Sequence, residues 1–148
     1  MIERGGYRFP ADRSYDREHH LWSRREADSG AVRVGMDMLG LESLGDLVVV
    51  ALRPVGTAVR RGEALGTLEA AKMTGDIIAP VSGTIVAHNP AVLRDPHLVN
   101  RSPYEEGWLA LLEPLDWPAE CGALVGAEGL DDWVRREIER YREQGWIS

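Results

Sequence analysis

The sequence predicts a mostly β domain: a sandwich of two small antiparallel sheets, with short helices at its edges and one longer helix at the C-terminal end. Three observations carry this. Short runs with β-branched and other apolar residues recur between Gly, Pro, Asp and Asn turn signals. The order strand, glycine turn, strand occurs before Lys72 and again after it, a weak internal echo that would place Lys72 at the surface junction of two similar halves. Beyond Glu113 the apolar positions take up a helical period. With 148 residues, 44% of them apolar, the chain is long enough to bury one core.

Taken in order, residues 1–13 are rich in Gly, Arg and Pro and read as a loose N-terminal arm. A main domain is expected over 14–114 and a C-terminal helical extension, packed on it, over 115–148. Tyr15 to Val34 alternates weakly, as strands joined by a turn at Asp28-Ser29-Gly30. Asp37 can cap a short helix reaching Leu44, which Gly45 can close in the left-handed conformation. Leu47 to Leu52 reads as a buried strand from its β-branched content. Pro54-Val55-Gly56 and Arg60-Arg61-Gly62-Glu63 are turns. Glu63 to Glu69 leads up to a hairpin tip at Lys72, Asp76 to Ala79 leads away, and Gly83 to His88 is a further strand. Asn89-Pro90 starts a short helix that Pro96 ends, and Gly107 to Leu112 is the last strand. Leu130, Trp133, Val134, Ile138 and Tyr141 share one helical face, Asp131–Arg135 and Asp132–Arg136 pair on the other, and Gly145 stops the helix. That apolar face packs on the sheets or, alternatively, receives a partner.

The net charge of −7, from 17 Lys+Arg against 24 Asp+Glu, argues against nucleic acid, which rewards a basic surface. It suits docking on basic partner faces, or solubility alone. The single cysteine, Cys121, reads as a buried structural thiol, since no zinc-type spacing exists. His19, His20, His88 and His97 lack metal-ligand spacing. No apolar leader or membrane-length run is present, so a cytoplasmic protein without a membrane is expected.

Lys72 lies in Gly66-Thr67-Leu68-Glu69-Ala70-Ala71-Lys72-Met73-Thr74-Gly75-Asp76-Ile77-Ile78-Ala79-Pro80. A turn lysine is ordinarily a solvated residue, or a guard at a sheet edge. A side chain at a hairpin tip buries nothing, however, and is well placed as a handle whose amine can be modified. With Glu69 before it and Ala79-Pro80-Val81-Ser82-Gly83-Thr84-Ile85 after it, the segment resembles the biotinyl/lipoyl-carrier domains, whose fold is the barrel-sandwich hybrid.

Further stretches narrow the resemblance to the glycine cleavage system H protein family. They are Val34-Gly35-Met36, Leu44-Gly45-Asp46-Leu47-Val48, Pro54-Val55-Gly56, Glu69-Ala70-Ala71-Lys72, and the run Leu98-Val99-Asn100-Arg101-Ser102-Pro103-Tyr104-Glu105-Glu106-Gly107-Trp108-Leu109. The likeness covers about Tyr15 to Pro114 and marks 14–114 as an H-protein-like lipoyl domain. It implies lipoate in amide linkage to Lys72 and a carrier with no catalysis of its own. It also implies that Glu69 and Asp76 help the attaching enzyme, a lipoate ligase or lipoyl transferase, to recognise the site; tip solubility is the plainer account. Biotinyl domains place Met on both sides of the lysine, whereas here only Met73 does so.

Several residues depart from the family pattern. H proteins carry His-Glu-Trp near the N-terminus, and that glutamate helps hold the amine of a loaded arm. This chain has Glu18-His19-His20-Leu21-Trp22, which sets His20 in the glutamate's place and leaves Glu18, His19 and His20 as arm-pocket candidates. A neutral imidazole only accepts a hydrogen bond from an ammonium, and an imidazolium repels it. Met73 and the longer C-terminal tail also differ. These departures tilt the expectation slightly toward the family's lipoate-binding relatives in sulfur oxidation, whose partners are a heterodisulfide-reductase-like complex or sulfur transferases. The alternative is a glycine cleavage H protein, with the glycine cleavage enzymes, including dihydrolipoamide dehydrogenase, as partners. An independent enzyme is disfavoured, because no nucleophile–base pair or phosphate loop is visible. An adaptor that has lost its cargo is disfavoured by the intact attachment motif.

Overall fold

The computed structural model describes all residues, Met1–Ser148. The chain opens with β1 (Ile2–Arg4) and β2 (Tyr7–Phe9), paired with Arg4 opposite Tyr7. The expected loose arm is therefore a hairpin. Gly5 and Gly6 form its two-residue loop with φ of +59° and +86°, the positive values that tight hairpin turns require. Phe9 at its end is fully buried.

Next come β3 (Ser14–Tyr15), β4 (Leu21–Arg25), β5 (Val32–Met36) and α1 (Met38–Leu44). Then follow β6 (Leu47–Leu52), β7 (Ala58–Val59), β8 (Ala64–Ala70), β9 (Thr74–Ile78) and β10 (Gly83–His88). Helices α2 (Pro90–Arg94) and α3 (His97–Arg101) precede β11 (Ala110–Pro114). The C-terminal part holds α4 (Trp117–Glu120), a 3₁₀ turn at Cys121–Ala123 and α5 (Ala127–Glu143).

Two antiparallel sheets form the sandwich: six strands in the order β3-β4-β5-β11-β10-β7, and three in the order β6-β8-β9. The N-terminal hairpin is a third, separate sheet. Lys72 thus lies in a hairpin within the smaller sheet, not at a junction of halves. The main core packs between the sheets, with Val32, Val34, Leu65, Ile77, Ile85 and Leu112 at or near zero exposure. A second cluster is largely aromatic: Phe9, Tyr15, Trp22 and Tyr104 meet Leu130, Trp133 and Val134 of α5.

Several expectations shift. β6 is an edge strand whose Val48 and Val49 are 61% and 41% exposed, while Leu47 and Val50 are buried in the core and Leu52 packs partly against it. Pro96 ends α2 but also stands directly before α3. The last strand starts at Ala110 rather than Gly107. Cys121 is half-buried, in a surface turn. Asp131 reaches Arg4 of the hairpin instead of Arg135, while Asp132 pairs with Arg136 at 3.0 Å. The C-terminal part is stitched to the body: Val125 and Tyr15 exchange main-chain hydrogen bonds of 2.8 and 2.9 Å, and Glu120 accepts from Ser82 N at 2.7 Å. No helix is long and apolar enough to cross a membrane.

Candidate functional site

Helix α1 organises the site from both ends. At its start Asp37 Oδ1 accepts from Gly40 N at 2.9 Å, the expected cap. At its end the last carbonyls have no helical donors. The hairpin tip uses them: Lys72 N donates to Leu44 O at 3.0 Å, and Lys72 Nζ donates to Glu42 O at 2.9 Å. Ala71 N donates to Asp46 O at 2.9 Å, and Ala70 N to Met73 O at the same distance. Gly45 makes this approach possible. Its φ of +80° with ψ of −162° is a region essentially reserved for glycine, distinct from the expected left-handed helical form. A Cβ there would lie 3.2 Å from Ala71 Cβ and 3.5 Å from Lys72 Cγ. The main chain of the tip is therefore fixed, while the Lys72 side chain lies in solvent with a main-chain oxygen for partner.

Beside the tip is a cleft of about 180 Å³, with 8 of its 13 lining residues hydrophobic. Met73, Gly75 and Asp76, next to Lys72 in the chain, border it, and Leu21, Met36, Leu68 and Ile77 give it apolar walls. His19 and Tyr141 complete it. Depressions of about 380 and 420 Å³ lie at the β7–β10–β11 edge and along α5, and no residue of the Lys72 tip lines either of them.

The structure separates the expected site residues. Lys72, Asp76 and His19 gather at the cleft. Glu69 is exposed on β8 opposite Thr74, and is not among the cleft residues. Glu18 lies in an adjoining depression with Arg17 and Arg61, its amide bound to Asp16 Oδ1 at 2.9 Å.

His20 does not line the cleft. It is 1% exposed, with Nδ1 2.7 Å from Asp37 Oδ2 and Nε2 2.8 Å from Glu137 Oε1. Its ring stacks on Trp133, centroids 4.9 Å apart, and its φ is +59°. Burial alone would push the imidazole below its usual value. The charge and hydrogen bond of Asp37, with those of Glu137, outweigh this and raise it to about 9. Glu137 answers in kind: burial opposes its charge, but hydrogen bonds from Arg140 and His20 hold its carboxyl down at about 2. The set is an imidazolium between two carboxylates, with Arg140 bound to Glu137 by two 2.9 Å hydrogen bonds. Sequence reasoning placed His20 by alignment and missed Asp37 and Glu137 as its partners. It read Tyr141 only as packing; its spacing one turn beyond Glu137 was visible, but not which surface it would meet.

The family model for the glycine cleavage H-protein matches residues 13–137. The chain belongs to the glycine cleavage H-protein family. A glycine cleavage system H protein of Thermus thermophilus is 41% identical over 128 residues, spanning 86% of this chain and 97% of that one. One from Enterobacter sp. (strain 638) is 45% identical over 118 residues, 80% of this chain and 89% of that protein. The crystal structure of a glycine cleavage system H protein from Mycobacterium marinum superposes with a TM-score of 0.74 at 37% identity, covering 87% of this chain and 98% of its own. The fold is thus the lipoyl-carrier sandwich of this family. The preference for sulfur oxidation, with a heterodisulfide-reductase-like complex or sulfur transferases as partners, finds no support: the relatives are glycine cleavage proteins. His20, which the alignment set in the glutamate's place, is buried and does not itself line the cleft.

Proposed function

We propose that this chain is a glycine cleavage H protein, a carrier whose lipoylated Lys72 shuttles the aminomethyl fragment of glycine, and then electrons, between partner enzymes. The observation that supports this most directly is the pairing of a main-chain-fixed tip, bearing a solvent-exposed amine, with a mainly apolar cleft that begins at Met73 and Asp76.

The residues present fit a lipoyl group. Lys72 Nζ is within reach of an attaching enzyme, and the Glu42 carbonyl that it meets can equally accept from the N–H of an amide. Loss of the ammonium charge lets the extended side chain lie against Leu21, Met36 and Ile77, where a charge would be disfavoured. When bound, the group supplies a dithiolane whose chemistry is reductive opening and thiol–disulfide exchange. The chain's own contribution is position. α1 holds the tip still, the cleft offers an apolar resting place, and Asp76 places a negative charge at its border. A carboxylate there pairs with an ammonium on the carried fragment, which the buried imidazolium of His20 cannot do. Glu69 and Asp76 flank the tip for the lipoate ligase or lipoyl transferase, and the glycine cleavage enzymes, including dihydrolipoamide dehydrogenase, supply the catalysis in the cytoplasm.

Non-reducing mass spectrometry of the Lys72 peptide, on protein from its own host, tests the carrier. A lipoyl mass, together with glycine turnover when the protein is added to glycine cleavage enzymes, supports it. A bare lysine from actively metabolising cells overturns it in favour of an adaptor, and an added sulfur on the group would favour sulfur transport.

A further inference from the structure

The family match ends at Glu137, yet the cleft beside Lys72 is completed by Tyr141, one helical turn further on. Tyr141 is 6% exposed and belongs to the buried aromatic cluster. Its ring is fixed on several sides: His20 at 5.1 Å, Trp146 edge-on at 5.1 Å, and the Arg140 guanidinium 5.1 Å from its centroid. Glu137, gripped by His20 and Arg140, fixes the helix turn that carries it. The Tyr141 hydroxyl has no hydrogen bond within the chain, whereas Ser23 Oγ is the one fully buried side-chain polar atom left without a partner. The phenol oxygen is therefore not fully enclosed, and Tyr141 is one of the residues that line the cleft. Burial first, then the charges of Asp37 and Glu137, push the phenol up, so it stays neutral and can both donate and accept.

We propose that Tyr141 is a specificity-determining residue for the arm, its hydroxyl accepting a hydrogen bond from a primary ammonium at the arm's end while Asp76 supplies the negative charge on the same cleft. This rests on the reading of Lys72 as the lipoyl site. The faces of the ring do not serve as the cation's seat, because His20 and Arg140, both positive, already lie against it. The hydroxyl is the free polar group. A C-terminal segment beyond the family match thus supplies a function that the position of His20 cannot.

The test uses lipoylated full-length protein whose arm is reduced and alkylated with ¹³C-labelled 2-bromoethylamine, the thiolate displacing bromide to leave a thioether that carries a primary ammonium. A second sample carries a labelled, uncharged propyl group. Nuclear Overhauser contacts between the labelled methylenes and the ring at position 141 report docking in the unsubstituted protein, without any mutation. Tyr141→Phe keeps the ring and the packing. The expected result is a several-fold loss of those contacts for the aminoethyl arm and no change for the propyl arm, with the melting temperature unaltered. Absence of contacts to the Tyr141 ring in the unsubstituted protein, or equal behaviour of the two arms in Tyr141→Phe, overturns the proposal while leaving the carrier reading intact. Failure of Lys72 to accept a lipoyl group in cells overturns both.

Discussion

The two ends of α1 hold two basic side chains by opposite means. At its start His20 is buried, charged and clasped by the side chains of Asp37 and Glu137. At its end Lys72 is exposed: its main-chain N–H donates to Leu44 O, and its side chain has one partner, the main-chain oxygen of Glu42. A charge buried between two carboxylates loses stability when either is removed, because a buried hydrogen bond and part of the compensating charge go with it. An exposed turn lysine contributes little to stability and can be modified freely. One short helix thus has a structural end and a working end, and the C-terminal helix braces the first while its Tyr141 reaches the cleft of the second.

The sharpest break in this comparison is functional. Lys72→Arg should abolish lipoylation and carrier turnover completely, since a guanidinium offers no amine for the amide bond. Melting should change by less than about 0.5 kcal/mol, as for other exposed turn positions. A large stability loss, read by thermal denaturation, would show that Lys72 is structural. Glu137→Ala attacks the opposite end. It leaves His20 with a single carboxylate and frees Arg140, and should cost roughly 3 kcal/mol in denaturant unfolding. Lipoylation of Lys72 should nevertheless continue at the normal rate.

Much of this frame was legible in the sequence, for reasons that are local. The Asp37 cap, the Asn89-Pro90 helix start, the β8–β9 hairpin and the amphipathic face of α5 are each written within a few residues. The role of His20 was not legible, because Glu137 stands 117 residues away and neighbouring residues say nothing about that approach. β6 was misread because β-branched content reports strand and not which strand lies at an edge. The N-terminal hairpin did leave a signal, the Gly5-Gly6 pair between Arg4 and Tyr7, hidden by the polar residues around it. At the site, Lys72 and Asp76 were visible as sequence neighbours; Tyr141 was seen but assigned only to packing.

A smaller effect sharpens the structural end. The His20 value is raised from 6.5 to about 9 on folding, so its contribution is fully present below about pH 6.5 and lost as pH rises through 9. Glu137, lowered from 4.5 to about 2, contributes above about pH 4.5 and loses its share as pH falls through 2. Stability from this clasp is greatest between about pH 4.5 and 6.5. The buried His20 should account for a decline of up to about 3 kcal/mol by pH 9 and beyond. Chemical denaturation across that range checks it against His20→Gln, which has no imidazolium to lose and should show a flatter profile. Parallel profiles would mean that the clasp does not titrate in this range.

The smallest effect belongs to the working end. Gly75 follows the tip closely, and a glycine there suggests a backbone that only glycine can adopt, in which case any side chain would strain the hairpin. The structure removes that reason: Gly75 is absent from the positive-φ residues, and an added Cβ would meet only Met73 Cε, at 3.5 Å. That is ordinary contact with the end of a flexible side chain. Gly75→Ala should therefore leave unfolding within about 0.5 kcal/mol of the parent, or slightly stabilise the strand by restricting the unfolded chain. Gly75 does border the cleft, so the same methyl narrows the space beside the arm. The expected outcome is an unchanged melting temperature with modestly faster alkylation of the reduced arm, because a narrower cleft shelters it less. Destabilisation by more than 1 kcal/mol would instead mean that the tip's geometry depends on Gly75 as well as on Gly45, and that the clamp onto α1 extends further along β9 than its hydrogen bonds indicate.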